Sequence, residues 1–190
     1  EETFTARLDS IFTVSQPKIF SGGKEVGAFA GLETLYNQGN QPCLHISWMF
    51  NAANRPSLSQ KWVRAILDEF YGTDGIHGYG YGQDEDQGQL GAWYVISSLG
   101  LFSVDGLTVN PATFCIGSPI FDAVKIRLND KYYEGKDFYI VALDNSKQNT
   151  YVKSINLNGK SLNNPYLPFT DFTKGGLLTL TMTNEPVDKY

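Results

Sequence analysis

The hydrophobic period of this chain changes once, and in one direction. Up to about residue 100 apolar side chains recur at helical spacing. After Phe102 that spacing disappears, and short alternating runs separated by turn signals take over. A βαβ order would make the two periods alternate. A single change predicts an α+β chain, a helical unit followed by an antiparallel β unit. The composition shifts over 103–112, so the helical part is expected over 1–104 and the β region over 105–190.

In the helical part, residues 3–13 (TFTARLDSIFT) set Phe4, Leu8 and Ile11 or Phe12 on one face. Residues 15–30, with Pro17, Gly22, Gly23 and Gly27, read as a long loop. Residues 43–53 (CLHISWMFNAA) read as a buried helix broken by Asn54, Arg55 and Pro56. The next helix opens at Ser57 or Ser59 and presents Trp62 or Val63, Ile66, Leu67 and Phe70, with Gly72 as its stop. A last helix is expected over 86–99, ended by Gly100. The β runs fall near Thr113–Ile116, 123–128, 138–142, Tyr151–Leu157 and 177–182, with Asn158-Gly159 as a two-residue hairpin turn.

A formal net charge of -5 with no basic cluster argues against nucleic acid as a partner. No apolar stretch is long enough to span a membrane. Cys43 and Cys115 lie far apart and are expected as free thiols. His45 and His77 lack zinc-type spacing. The G-x-G-x-G at 78–82 does not follow a strand, and no G-x-S-x-G elbow occurs.

The chemistry concentrates in residues 78–101, GYGYGQDEDQGQLGAWYVISSLGL. Asp84, Glu85 and Asp86 meet where a glycine-punctuated loop runs into an apolar helix. Unpaired N–H groups and the macrodipole at a helix start keep such carboxylates ionised, as a general base or metal ligand requires. Helix capping is the plainer role for the same acids. The glycines at 78, 80, 82 and 88 favour the functional role, because they permit close backbone approach that capping does not need. A second cluster, YNQGNQP over 36–42, offers amide and carbonyl oxygens, hard donors suited to calcium, in what is otherwise an ordinary turn. His45 and Trp48 form a third pair. Either they fill the core, or His45 bonds a sugar hydroxyl while Trp48 packs a ring face.

Taken together these motifs resemble glycoside hydrolase family 92, calcium-dependent inverting exo-α-mannosidases. FTARLDSIF precedes YNQGNQP, a His-containing helix and the helix with Trp62. DEDQGQ is followed by an aromatic pair. FCIGSPIFDAVKIRL over 114–128, SINLNGKSL and KGGLLTLTM follow in the same order. The resemblance implies the last helices of an (α/α)6 toroid with a C-terminal antiparallel β unit. It implies hydrolysis of terminal α-mannosidic bonds of glycans with Asp84 and Asp86 as the base pair. Asn40, Gln41 and Asp86 would hold Ca2+, although many relatives carry Glu at the position of Gln41. His45, Trp48, Gln89 and Trp93 would contact substrate.

The family's general acid is a Glu upstream of these motifs, and Glu1, Glu2, Glu25 and Glu33 do not match it. The chain does not begin with Met. It is therefore expected to be a piece of a longer secreted or periplasmic bacterial enzyme, to hold half an active site, and to depend on the remainder of the parent chain. An incomplete toroid would expose apolar helix faces, so self-association is expected unless they are covered. The alternatives are a non-catalytic carbohydrate-binding or scaffold fragment and an amylase-like or trehalase-like glycosidase.

Overall fold

The structure, a computed structural model, describes residues 2–17, 35–71 and 88–190. They fall into two compact units that divide between Ile96 and Ser97. Among the described residues no helix is long and apolar enough to cross a membrane.

In the first unit, α1 (Glu2–Ser15) buries Thr5, Leu8, Phe12 and Ser15, a stripe at three- and four-residue steps. Phe4, expected on that face, points outward. The segment read as one helix over 43–53 is two 3-10 pieces, Gln41–Cys43 and Ile46–Ala53, separated by Leu44 and His45. Its burial is as expected, with Trp48, Phe50 and Ala53 inside. The Asn51 side chain donates to the Trp48 carbonyl three residues back at 3.1 Å, a local bond that competes with regular helix. Asn54 ends the piece in the left-handed region (φ 55), which asparagine tolerates better than most residues.

Helix α2 (Pro56–Ala65) begins at Pro56 rather than at a serine cap. A proline in the first turn gives up an N–H that has no helical partner anyway. A π-helical turn, Ile66–Phe70, extends it, and Trp62, Val63, Ile66, Leu67 and Phe70 are all buried as their spacing requires. The core is aromatic. Phe12 lies 4.5 Å from Tyr36, 5.2 Å from Trp62 in a stacked arrangement and 5.9 Å from Phe50, centroid to centroid. The Trp62 indole also donates to Asp9 Oδ1 at 2.6 Å, pinning α1 to α2. Helix α3 (Gln89–Ser98) ends at Gly100, whose φ of 75 makes it the expected stop.

The second unit holds two sheets. One runs β1 (Leu101–Phe102), β2 (Thr113–Ile116), β7 (Tyr166–Pro168). The other has the order β3 (Ala123–Arg127), β4 (Asp137–Leu143), β8 (Gly176–Thr183), β5 (Tyr151–Leu157), β6 (Lys160–Leu162). Leu101 and Phe102, placed in the helical part by their sequence, pair with Ile116 and Cys115.

Every pairing is antiparallel except one: β8 lies parallel to β4, which corrects the expectation of a wholly antiparallel unit. The last strand enters the slot between β4 and β5, and its direction follows from pairing antiparallel to β5. Phe138, Ile140 and Ala142 of β4 and Leu178, Leu180 and Met182 of β8 face inward at period two. In β5 the buried positions are Val152, Ile155 and Leu157. A register shift between Val152 and Ser154 inserts one residue and changes the phase. Asn158 (φ 51) and Gly159 (φ 84) form the anticipated hairpin turn. Helix α4 (Phe169–Thr173) sends Phe172 to Phe138 at 4.8 Å and to Phe114 at 5.3 Å, joining the two sheets.

Gly135 sits so close to the Lys174–Gly175 backbone that a Cβ there has no room. Gly135→Ala is expected to cost about 1–3 kcal/mol in urea unfolding, the range for overpacking. Burial pushes the Cys115 thiol up to about 12. At pH 8, iodoacetamide should modify the half-buried Cys43 and leave Cys115 intact until the protein unfolds, read by peptide mass spectrometry.

Candidate active site

The amide-rich turn is built from its buried side upward. Tyr36 is fixed under Phe12. Asn37 Oδ1 accepts the Gly39 N–H at 2.9 Å, and the Asn40 N–H donates to the Asn37 carbonyl at 3.1 Å, a local asparagine turn. Asn40 then caps the 3-10 turn Gln41–Cys43 with extended backbone (φ -100, ψ 118). Its side chain makes no capping bond and is exposed. Gln41 is half-buried.

Gln38 is fully buried, so its amide needs partners at both ends. Its Oε1 accepts the Tyr36 hydroxyl, and its Nε2 donates to the Tyr71 hydroxyl at 3.2 Å. The Tyr71 hydroxyl in turn donates to the Leu90 carbonyl in the first turn of α3 at 3.0 Å. Burial, reinforced by Cys43 and Tyr71, holds the Tyr36 phenol well above its usual range. It therefore stays protonated and remains the donor to Gln38. The Tyr71 ring stacks on Trp93 (5.8 Å, 9°) and leans on Tyr94 at 4.9 Å. The Trp93 indole donates to the Leu44 carbonyl at 2.8 Å.

Asp84 and Asp86 lie outside the described residues. Gln89 is the first residue of α3 and half-buried, and His45 is exposed. Trp48 and Trp93 are buried in the first unit with at most 2% exposure. Both fill the core, because a large indole in an apolar segment gains more from burial than it loses. Gln38 falls within the amide-rich cluster over 36–42, but neither its buried role nor that of Tyr71 carried a sequence signal. A glutamine in a turn reads as solvated, and Tyr71 sits where the helix ends.

Among the described residues no group of three or more His, Cys, Asp or Glu side chains could hold a metal ion. Asn40 and Gln41 contribute amide oxygens, the donor chemistry a hard cation takes. Two neutral oxygens fall short of the roughly six to eight that calcium prefers, so carboxylates would have to complete the set.

Comparison with known proteins identifies the class. Residues 1–184 match the glycosyl hydrolase family 92 catalytic domain. The chain belongs to that family.

It is similar to the family 92 α-mannosidase BT3965 from Bacteroides thetaiotaomicron, at 32% identity and a TM-score of 0.78, over 98% of this chain and 22% of that one. A structure of the same enzyme with mannoimidazole aligns at 30% identity and a TM-score of 0.78, over 98% of this chain and 23% of that one. The inverting family 92 mannosidase BT2199 from the same bacterium aligns at 32% identity and a TM-score of 0.75, over 98% and 25%. A secreted glycosidase of Arthroderma benhamiae, described as uncharacterized, is 29% identical over 151 residues, 77% of this chain and 18% of that protein. The chain thus spans about a quarter or less of the length of these relatives. Its α+β fold is similar to the family 92 structures.

Trp93→Phe keeps an aromatic ring in the core but leaves the Leu44 carbonyl without its indole partner. A loss of about 1–3 kcal/mol is expected from urea unfolding, the cost of stranding a buried polar group.

Proposed function

We propose that the protein carrying this chain is an inverting exo-α-mannosidase that hydrolyses terminal α-mannosidic bonds of glycans with the help of Ca2+. The observation that carries this reading is the match of residues 1–184 to the family 92 catalytic domain, joined to relatives that are α-mannosidases. In this reading the helical unit belongs to the end of an (α/α)6 toroid.

Asp84 and Asp86 are the base carboxylates. They draw a proton from the water that attacks the anomeric carbon on the face opposite the leaving group, which inverts the configuration. A carboxylic acid from outside these 190 residues protonates the departing glycosidic oxygen. Asn40, Gln41 and Asp86 would hold the calcium ion. When bound it supplies Lewis-acid and template chemistry toward the sugar hydroxyls. His45 and Gln89 hydrogen-bond sugar hydroxyls. The relative described as a secreted glycosidase supports a secreted enzyme.

The test uses the complete protein with an aryl α-mannoside or an α-mannobiose in calcium buffer. Proton NMR of the first-formed product should show β-mannose. Asp86→Asn should lower kcat by about 10²–10⁴, the usual contribution of a general base, with the fold intact by circular dichroism. Near-normal turnover in that variant removes Asp86 from the mechanism. Sugar binding without turnover in the unmodified protein makes it a carbohydrate-binding or scaffold module instead.

A further inference from the structure

We infer that Gln38 and Tyr71 are positioning residues, whose hydrogen-bond chain from Tyr36 to the Leu90 carbonyl fixes where Asn40 and Gln41 stand against the first turn of α3. This rests on the reading of Asn40 and Gln41 as calcium-binding residues.

The turn is tied to α3 on both sides. Before it, Gln38 reaches Leu90 through the Tyr71 hydroxyl, at 3.2 and 3.0 Å. After it, the Leu44 carbonyl accepts the Trp93 indole at 2.8 Å. Leu90 and Trp93 are three residues apart, so they share one face of α3. Asn40 and Gln41 lie between the two ties, and only Gly39 separates Gln38 from Asn40. Gly39 is buried and its N–H is bonded to Asn37.

Tyr71 braces both ties at once, since its hydroxyl carries the first and its ring stacks on the tryptophan that makes the second. Gln38 is 0% exposed and has no water to fall back on, so a shift of the turn would strand its amide. Ligands held in place before an ion arrives bind it more tightly than ligands ordered by it.

The complete protein is titrated with CaCl2 by calorimetry, and its amide exchange is followed by mass spectrometry. Tyr71→Phe keeps the ring stacking and removes the hydroxyl. Gln38→Met removes both amide bonds at similar length, and serves if the first variant fails to fold. Trp62→Phe, which loses the Asp9 bond elsewhere in the same unit, controls for stability.

Tyr71→Phe and Gln38→Met should bind calcium at least about ten-fold more weakly, while Trp62→Phe stays within about two-fold. Exchange over 39–44 should quicken at least about ten-fold relative to α2. Wild-type affinity in both variants, or exchange that quickens uniformly across the unit, overturns the inference. If the unmodified protein binds no calcium, the metal reading of Asn40 and Gln41 falls, and the exchange pattern still decides whether Gln38 and Tyr71 hold the turn.

Discussion

A glutamine side chain with no exposure to solvent must satisfy an acceptor and a donor inside the protein, and Gln38 does so with two tyrosine hydroxyls. That requirement fixes much of the first unit. It sets the direction of each hydroxyl: Tyr36 donates, and Tyr71 accepts from Gln38 and donates its own O–H to the Leu90 carbonyl. It draws the end of the π-helical turn, the amide-rich turn and the start of α3 to one point. Aromatic rings pack beside the network, Phe12 against Tyr36, and Trp93 and Tyr94 against the Tyr71 ring.

The turn's outer surface differs in character. Asn40 caps a 3-10 turn without spending its side chain on the cap, and its amide faces solvent. One short segment thus carries a buried amide that is fully engaged and, two residues on, an exposed amide whose oxygen suits a hard cation. Rigidity and ligand chemistry divide between Gln38 and Asn40. The second unit settles its own architecture by another route, with β8 inserted parallel to β4 and Phe172 joining both sheets.

Elements governed by local chemistry were legible in the sequence. The Asn158-Gly159 hairpin, the Gly100 stop, the apolar stripe of α2 and the strands Thr113–Ile116 and Tyr151–Leu157 stand where period and turn residues put them. Features set by distant partners were not. Two-residue β1 and three-residue β7 are too short to show a period, and the parallel placement of β8 depends on which gap it enters. In the site, the turn itself was legible from its asparagine and glycine residues, and Asn37 does close it through the Gly39 N–H. The burial of Trp48 and Trp93 was not readable, because an indole's composition does not say whether its face is covered. Gln38 and Tyr71 act through burial and long-range bonds, which leave no mark on residue spacing.

The most direct measurement is a crystal structure of the complete calcium-loaded protein with an anomalous difference map. The account predicts one strong peak about 2.3–2.6 Å from the amide oxygens of Asn40 and Gln41 and from an Asp86 carboxylate oxygen. A map without a peak at the turn, or one with Asp86 on a different surface from Asn40, would contradict it.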